Sequence, residues 1–337
     1  MSKFPTLAFA LFVPGFVSGC LAEAGSMEPP TGTSQSAVTY LESGTVLSAT
    51  GFLQQVSGRG LNGTDLNGRI LEGSHVAHVV LGSASWQGTP MNSVSLEDSA
   101  LRGRVGSKVL ANANFVGVAF EAWTDRGEQV RLRVDKARRW LEPGMVDTFL
   151  HTVTYETTEG SLPLCGTDAA GNDVEAIALN GRWDYREGVQ GGGSWVDDPQ
   201  TFTFACMGHV AAKCVEMGYK PWRKALVCHA GQGCGLEPIG HLHRACTRLL
   251  RADYCGDGTS HTSDGIEVNV YDGYGIRIDS EDWNIEAEWS ADGAVCLERT
   301  RLDDPGSLPC AASLVRPDCG DPSRFVLDTA LISEILP

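Results

Sequence analysis

The chain has 337 residues, 26 of them basic and 42 acidic, and a formal net charge of −16. An acidic surface of that size repels phosphate backbones and anionic lipid headgroups, so it argues against nucleic acid as a partner and favours solubility without pointing to a substrate. Eleven cysteines point to a disulfide framework rather than to a reduced cytosolic enzyme.

Residues 1–19 read as a signal peptide. Met1-Ser2-Lys3 is a short basic start, and Phe4 to Val17 is apolar apart from Thr6. A spanning helix needs roughly 20 apolar residues, so this run is too short to stay in a bilayer, and Pro14 and Gly15 weaken it further as a helix. It ends in Val17-Ser18-Gly19-Cys20, which resembles the lipobox of bacterial lipoproteins. The resemblance implies cleavage after Gly19, a diacylglyceryl group on Cys20 and acylation of the new amine. More than one chain anchors stably, because each buried CH2 contributes roughly 0.8 kcal/mol. The expected address is therefore the cell envelope, with the membrane held through lipid on Cys20. Leu21, rather than Asp, follows the cysteine, and by the enteric sorting convention this argues for the outer membrane, facing the periplasm or the surface.

Setting Cys20 aside leaves Cys165, Cys206, Cys214, Cys228, Cys234, Cys246, Cys255, Cys296, Cys310 and Cys319, an even number. They can close five disulfides with none left over, in a connectivity that spacing leaves open.

Residues 20–44 are small and polar, with Pro29-Pro30 and a Thr/Ser/Gln run, and read as a flexible tether that cannot bury a core. Residues 45–145 read as a glycine-rich β domain without cysteine. Leu61-Asn62-Gly63, Leu66-Asn67-Gly68 and Leu71-Glu72-Gly73 recur every five residues, echoed by Leu96, Leu101, Leu110, Phe115 and Phe120. That period is somewhat like a pentapeptide β-helix, but the units are too few, and short strands with glycine turns are the simpler expectation. Val116–Trp123 and Glu128–Val134 flank Thr124-Asp125-Arg126-Gly127 and predict a hairpin. In its second strand Val130, Leu132 and Val134 alternate with charged residues.

Residues 146–337 form the cysteine-rich domain. Phe149–Tyr155 and Val174–Trp183 predict strands, and 188–194 a glycine-rich loop. A helix is expected over His209–Met217, with Val210, Cys214 and Met217 on one face and Gly218 ending it in the left-handed conformation. A second is expected over Ile239–Arg251. Ile239, Leu242, Cys246, Leu249 and Leu250 form its stripe, Pro238 suits its start, and Arg244, Arg248 and Arg251 oppose its C-terminal dipole. Strands follow over Ile266–Tyr271, Gly275–Asp279, Ile285–Trp289 and Val295–Arg299, then a Pro- and Asp-rich tail. The predicted fold class is α+β, mainly antiparallel β, with two short helices in a disulfide-rich C-terminal domain.

Several blocks come in a long fixed order: Phe202-Thr203-Phe204-Ala205-Cys206, Lys213-Cys214-Val215, Gly218-Tyr219-Lys220-Pro221-Trp222 and His243-Arg244-Ala245-Cys246. They lead into Arg251-Ala252-Asp253-Tyr254-Cys255-Gly256-Asp257-Gly258, then Ser260-His261-Thr262 and Asp264-Gly265. This resembles the ADYC domain family, named for the residues found here at 252–255. The resemblance spans about 149–301 and implies an exported, often lipid-anchored protein, as in myxobacteria and their relatives. It carries no catalytic residue with it.

Two functional readings follow. One is a non-enzymatic envelope module, structural or binding a protein, glycan or wall component. Trp195, in the glycine loop, is its best candidate for an exposed binding aromatic, with Tyr219 and Trp222 beside it in the argument, while Trp183 and Trp289 end strands and belong in the core. The other is an extracytoplasmic hydrolase using the loop after Cys255. There His261 would be a general base oriented by Asp257 or Asp264, with Asp253 nearby. The same residues also suit a purely structural loop in which aspartates bond backbone amides. A cysteine nucleophile conflicts with the even count. Cys228, His229, Cys234, His241, His243 and Cys246 are zinc-ligand types, but their spacing matches no standard module, and oxidised cysteines account for them better. No phosphate loop, dinucleotide fingerprint or nucleophile elbow occurs, so no cofactor or metal is expected.

Overall fold

The computed structural model of the protein describes residues 37–39, 64–229, 233–302, 305–326 and 328–337. Cys20 with its lipobox and the first repeat unit, Leu61 to Gly63, lie outside them. Among the described residues no helix is long and apolar enough to cross a membrane.

The expected hairpin is present as Val118–Thr124 and Gln129–Arg139, with Trp123 opposite Gln129. It is part of a larger ring. In pairing order the ring runs Val76–Val80, Val118–Thr124, Gln129–Arg139, Phe149–Thr157, Ala176–Asn180 and Thr201–Cys206, and the last strand pairs back onto the first. Every pairing is antiparallel, so six strands close a small barrel. Side chains alternate across its wall, as a strand requires. Ala176, Ala178, Phe202 and Phe204 join Phe120 and Leu132 in the interior cluster. Their neighbours Ile177, Leu179 and Ala205 instead join a cluster with Ala211, Ala212 and Val215 of helix α1, Val210–Glu216. A register shift opposite Thr152 and Val153 leaves Asp135 as the extra residue of the neighbouring strand, while Leu150 packs outward and Val153 inward by ordinary alternation.

The period-five residues Leu96, Leu101, Leu110, Phe115 and Phe120 are all buried in the barrel cluster. They sit on strands and turns, the first three on the small sheet of Asn92–Glu97, Ala100–Val105 and Lys108–Ala111. Leu66 is buried as well, whereas Leu71 is 52% exposed.

The second layer holds α1 and helix α2, Gly240–Arg251, at the places their apolar spacing predicts. Gly218 follows α1 with φ of +99°, as expected of its end. The two helices are joined by the Cys214–Cys246 disulfide, and His243 Nε2 on α2 reaches Ala211 O on α1 at 2.9 Å. Leu242, Ala245 and Leu249 of α2 pack with Val270, Ala287, Trp289 and Leu331 on a four-stranded sheet. That sheet is ordered Val268–Asp272, Leu331–Ile335, Asn284–Ser290, Gly293–Leu297. The chain is thus mainly antiparallel β with few short helices, and the disulfides gather in its C-terminal part: Cys165–Cys206, Cys214–Cys246, Cys255–Cys310 and Cys296–Cys319. Cys234 is disulfide-bonded too, and its register partner across the hairpin Lys224–His229/Gly233–Pro238 is Cys228.

Two features differ from expectation. Gly275–Asp279 is a loop, not a strand. Asp272 gathers it by accepting the amides of Tyr274, Ile276 and Arg277 at 2.7, 3.2 and 2.8 Å. The acidic tail also ends in a strand, Leu331–Ile335, that lies inside the four-stranded sheet. Among the described residues the barrel takes strands from both sides of residue 145.

Candidate functional site

The polar block after α2 is built around four residues that each fasten a different element. Ala252 ends the helix in the left-handed conformation, φ +51°, with the Asp253 amide returning to Arg248 O at 3.0 Å. The Asp253 carboxylate is buried against the Arg248 guanidinium and accepts the amides of Asp257 at 3.1 Å and Gly258 at 3.0 Å. Tyr254 stacks on Trp289, ring centroids 5.3 Å apart, and donates its hydroxyl to Glu286 at 2.8 Å. Cys255 bonds Cys310. Arg248 also donates to Gly192 O and Ser194 Oγ, both at 2.6 Å, and so ties the glycine-rich loop to the same junction. A Cβ on Gly192 would stand 2.3 Å from Arg186 O and 2.4 Å from Asp257 O, so the glycines of that loop serve close backbone approach.

The candidate acid–base residues fall within this junction. Asp257 accepts the Thr259 amide at 2.9 Å, and Asp264 accepts the Thr64 amide at 3.4 Å. The His261 amide donates to Arg251 O at 3.0 Å, and its ring lies tilted to Tyr254 with centroids 5.9 Å apart. Asp253 and Asp257 thus spend their oxygens on backbone amides and on Arg248, which is the work of a structural loop. The arrangement differs at His75. Its ring Nδ1 lies 3.1 Å from one Asp125 oxygen, its amide donates to the other, and the ring stacks on Tyr185 at 4.4 Å. The space beside it is only about 10 Å³, room for about one water.

Open space lies elsewhere. A cleft of about 520 Å³ opens where the end of the barrel strand Ala176–Asn180, the strand Asn92–Glu97 and the first turn of α2 meet. Trp183, Trp195 and Trp222 line it, with Asp98, Asp197 and Asp198. Two of these indoles are held by their N–H groups. Trp195 donates to Asn180 O at 2.7 Å, and Trp222 donates to Asp147 Oδ2 at 3.2 Å. Asp147 is itself clamped by Lys220 and by Arg223 Nε at 3.2 Å; burial pushes its carboxyl up, but these cations more than offset that and hold it below the usual 3.8. Trp183 is 3% exposed, and its indole N–H has no hydrogen-bond partner among the described residues. The Arg244 guanidinium lies over the Trp195 ring, 5.0 Å from its centroid. His243, also on the wall, is pushed by burial down to about 4 and is neutral at pH 7. Burial, then Asp147 and Glu97, raise the Asp98 carboxyl.

Fixed aromatic faces with a few convergent polar groups, in a cleft of this size, are the features of a candidate small-ligand site. Trp195 and Trp222 are therefore brought together, but Tyr219 is not. It is fully buried and donates its hydroxyl to Asp272 Oδ2 at 3.0 Å. Trp183 and Trp289 are in the core as their strand positions indicate, though Trp183 also reaches the cleft. Of the residues considered for zinc, Cys234 and Cys246 are disulfide-bonded, and His241 Nε2 lies 3.3 Å from the Tyr274 hydroxyl. The acidic wall of the cleft carries no sequence signal, because Asp98 sits in a turn and Asp197 and Asp198 in a loop, where aspartate is common.

The family model of the ADYC domain matches residues 112–303. No curated protein and no solved structure matches the chain.

Proposed function

The chain belongs to the ADYC domain family, and from that premise we propose that it is an exported, lipid-anchored binding module of the cell envelope whose ligand seat is the tryptophan cleft. The cleft itself, with two indoles fastened by their N–H groups and a third beside them, is the observation that carries the reading. Rings held in place before a ligand arrives lose little entropy on binding. The lipobox at Val17 to Cys20 supports the anchor, and the disulfides fit an oxidising compartment. The family's signature residues act as a clamp that holds α2, and so one wall of the cleft, against the four-stranded sheet.

Two measurements test this. The intact mass of protein extracted from membranes should correspond to a chain starting at Cys20 and carrying acyl groups; an unacylated chain in the cytosol would end the anchor. A thermal-shift panel of small oligosaccharides, blocked tripeptides, amines and carboxylates tests the seat. At least one class should raise the melting temperature of the native protein but not of a folded Trp195→Ala/Trp222→Ala variant. If no class does so, the cleft is not a ligand seat.

A further inference from the structure

The cleft's charges narrow what it can hold. Three carboxylates on its wall, Asp98, Asp197 and Asp198, together with a net charge of −16, repel an anionic ligand. A cationic ligand meets a different obstacle. The aromatic face it would seek on Trp195 already carries the Arg244 guanidinium at 5.0 Å, and a second cation there would be repelled by the first. Both charged classes are therefore opposed, one by the wall and the other by the guanidinium over the ring.

What the lining lacks is also specific. Trp183 lines the cleft, but its indole N–H is fully enclosed and without a partner among the described residues, so it offers a ligand apolar surface only. The carboxylates, in turn, accept protons and cannot donate while ionised. A ligand suited to this wall must offer several donors close together on an uncharged body, with a flat apolar face to lay on an indole. Sugar rings do this: each hydroxyl donates and accepts, neighbouring hydroxyls match the two oxygens of a carboxylate, and the C–H face stacks on tryptophan. A neutral peptide offers fewer donors in that pattern, because its amide N–H groups are spaced a residue apart.

We propose that the cleft binds a short neutral saccharide, its ring stacked on Trp222 and its hydroxyls donating to the wall carboxylates. This rests on the reading of the cleft as the ligand seat and adds the chemical class.

Four trimers of similar size test it by titration calorimetry on the full chain: N-acetylglucosamine trimer (neutral), glucosamine trimer (cationic), galacturonate trimer (anionic) and a blocked trialanine. The neutral sugar should bind about tenfold or more tightly than either charged sugar or the peptide. Arg244→Met should selectively improve the cationic trimer. Binding of the peptide alone at the cleft would overturn the saccharide and leave the seat standing. Binding of none of the four, together with a silent thermal-shift panel, would remove both.

Discussion

The barrel and the C-terminal layer are held by different means. The barrel interior is apolar, with Phe120, Phe202 and Phe204 meeting edge to face at 5.3 and 4.9 Å, and a single described disulfide, Cys165–Cys206, fastens it. The C-terminal layer carries three described disulfides and buries ion pairs. Arg248 meets Asp253; Arg301 lies 2.7 Å from Glu286; Arg324 lies 2.6 Å from Glu288. The apolar cluster of this layer is no smaller than the barrel's, so its cross-links and fully bonded charges add to side-chain packing rather than replace it. The family signature belongs to these additions. Its aspartate, tyrosine and cysteine are a salt bridge, a buried hydroxyl and a disulfide.

The sharpest way to break the comparison is to cut the chain at the family-matched limits. Residues 112–303 lack the barrel strand Val76–Val80, the partners Cys310 and Cys319, and the inner strand Leu331–Ile335. This fragment should show no cooperative urea transition, whereas a full-sized transition would mean that neither layer needs those parts.

Point substitutions come next. Arg301→Ala leaves Glu286 buried without its cation and should cost about 3–5 kcal/mol. Phe120→Ala in the barrel should cost a similar ~3–5 kcal/mol, for the different reason of a cavity. The two part under rescue. Arg301→Met combined with Glu286→Leu should recover most of the loss in urea midpoint, because the charges need each other more than the fold needs them. Failure of that rescue would mean the pair stabilises the layer outright. Removing Cys255 and Cys310 together, as serines, should cost about 2–4 kcal/mol in the same assay.

A smaller effect should appear equally in both layers. His151 in the barrel wall and His243 on α2 are each pushed by burial from 6.5 to about 4. The unfolded chain therefore binds more protons between those values. Stability is full above pH 6.5, falls as pH drops toward 4, and levels off below. Each histidine should withdraw about 2 kcal/mol between pH 7 and 5. Replacing one with glutamine should flatten the pH dependence of the urea midpoint by that share; an unchanged slope would place its proton elsewhere.

Local patterns were legible in the sequence, and long-range closure was not. The stripe on α2, the Thr124–Gly127 turn and the glycine after α1 each follow from neighbours within a few residues. The barrel is closed by Thr201 pairing with Val80 and Phe202 with Val79, contacts for which no local spacing exists. Leu331–Ile335 was hidden by its acidic surroundings, and its Glu334 is buried where Asn269 and Tyr271 donate to it. Glycine and isoleucine at 275–278 suggested a strand, yet one carboxylate, Asp272, rolled them into a loop. At the site, Trp195 and Trp222 could be singled out by type and setting. Tyr219 could not be told apart from them, because its burial depends on Asp272, 53 residues away.

The proposed ligand seat is the cleft, with the loop after Cys255 in a supporting part. Titrating the N-acetylglucosamine trimer into His261→Ala and Trp222→Ala side by side addresses that division. The histidine variant should bind as the native chain does, and the tryptophan variant at least about tenfold more weakly. Loss of binding in the histidine variant, with the tryptophan variant unaffected, would contradict it.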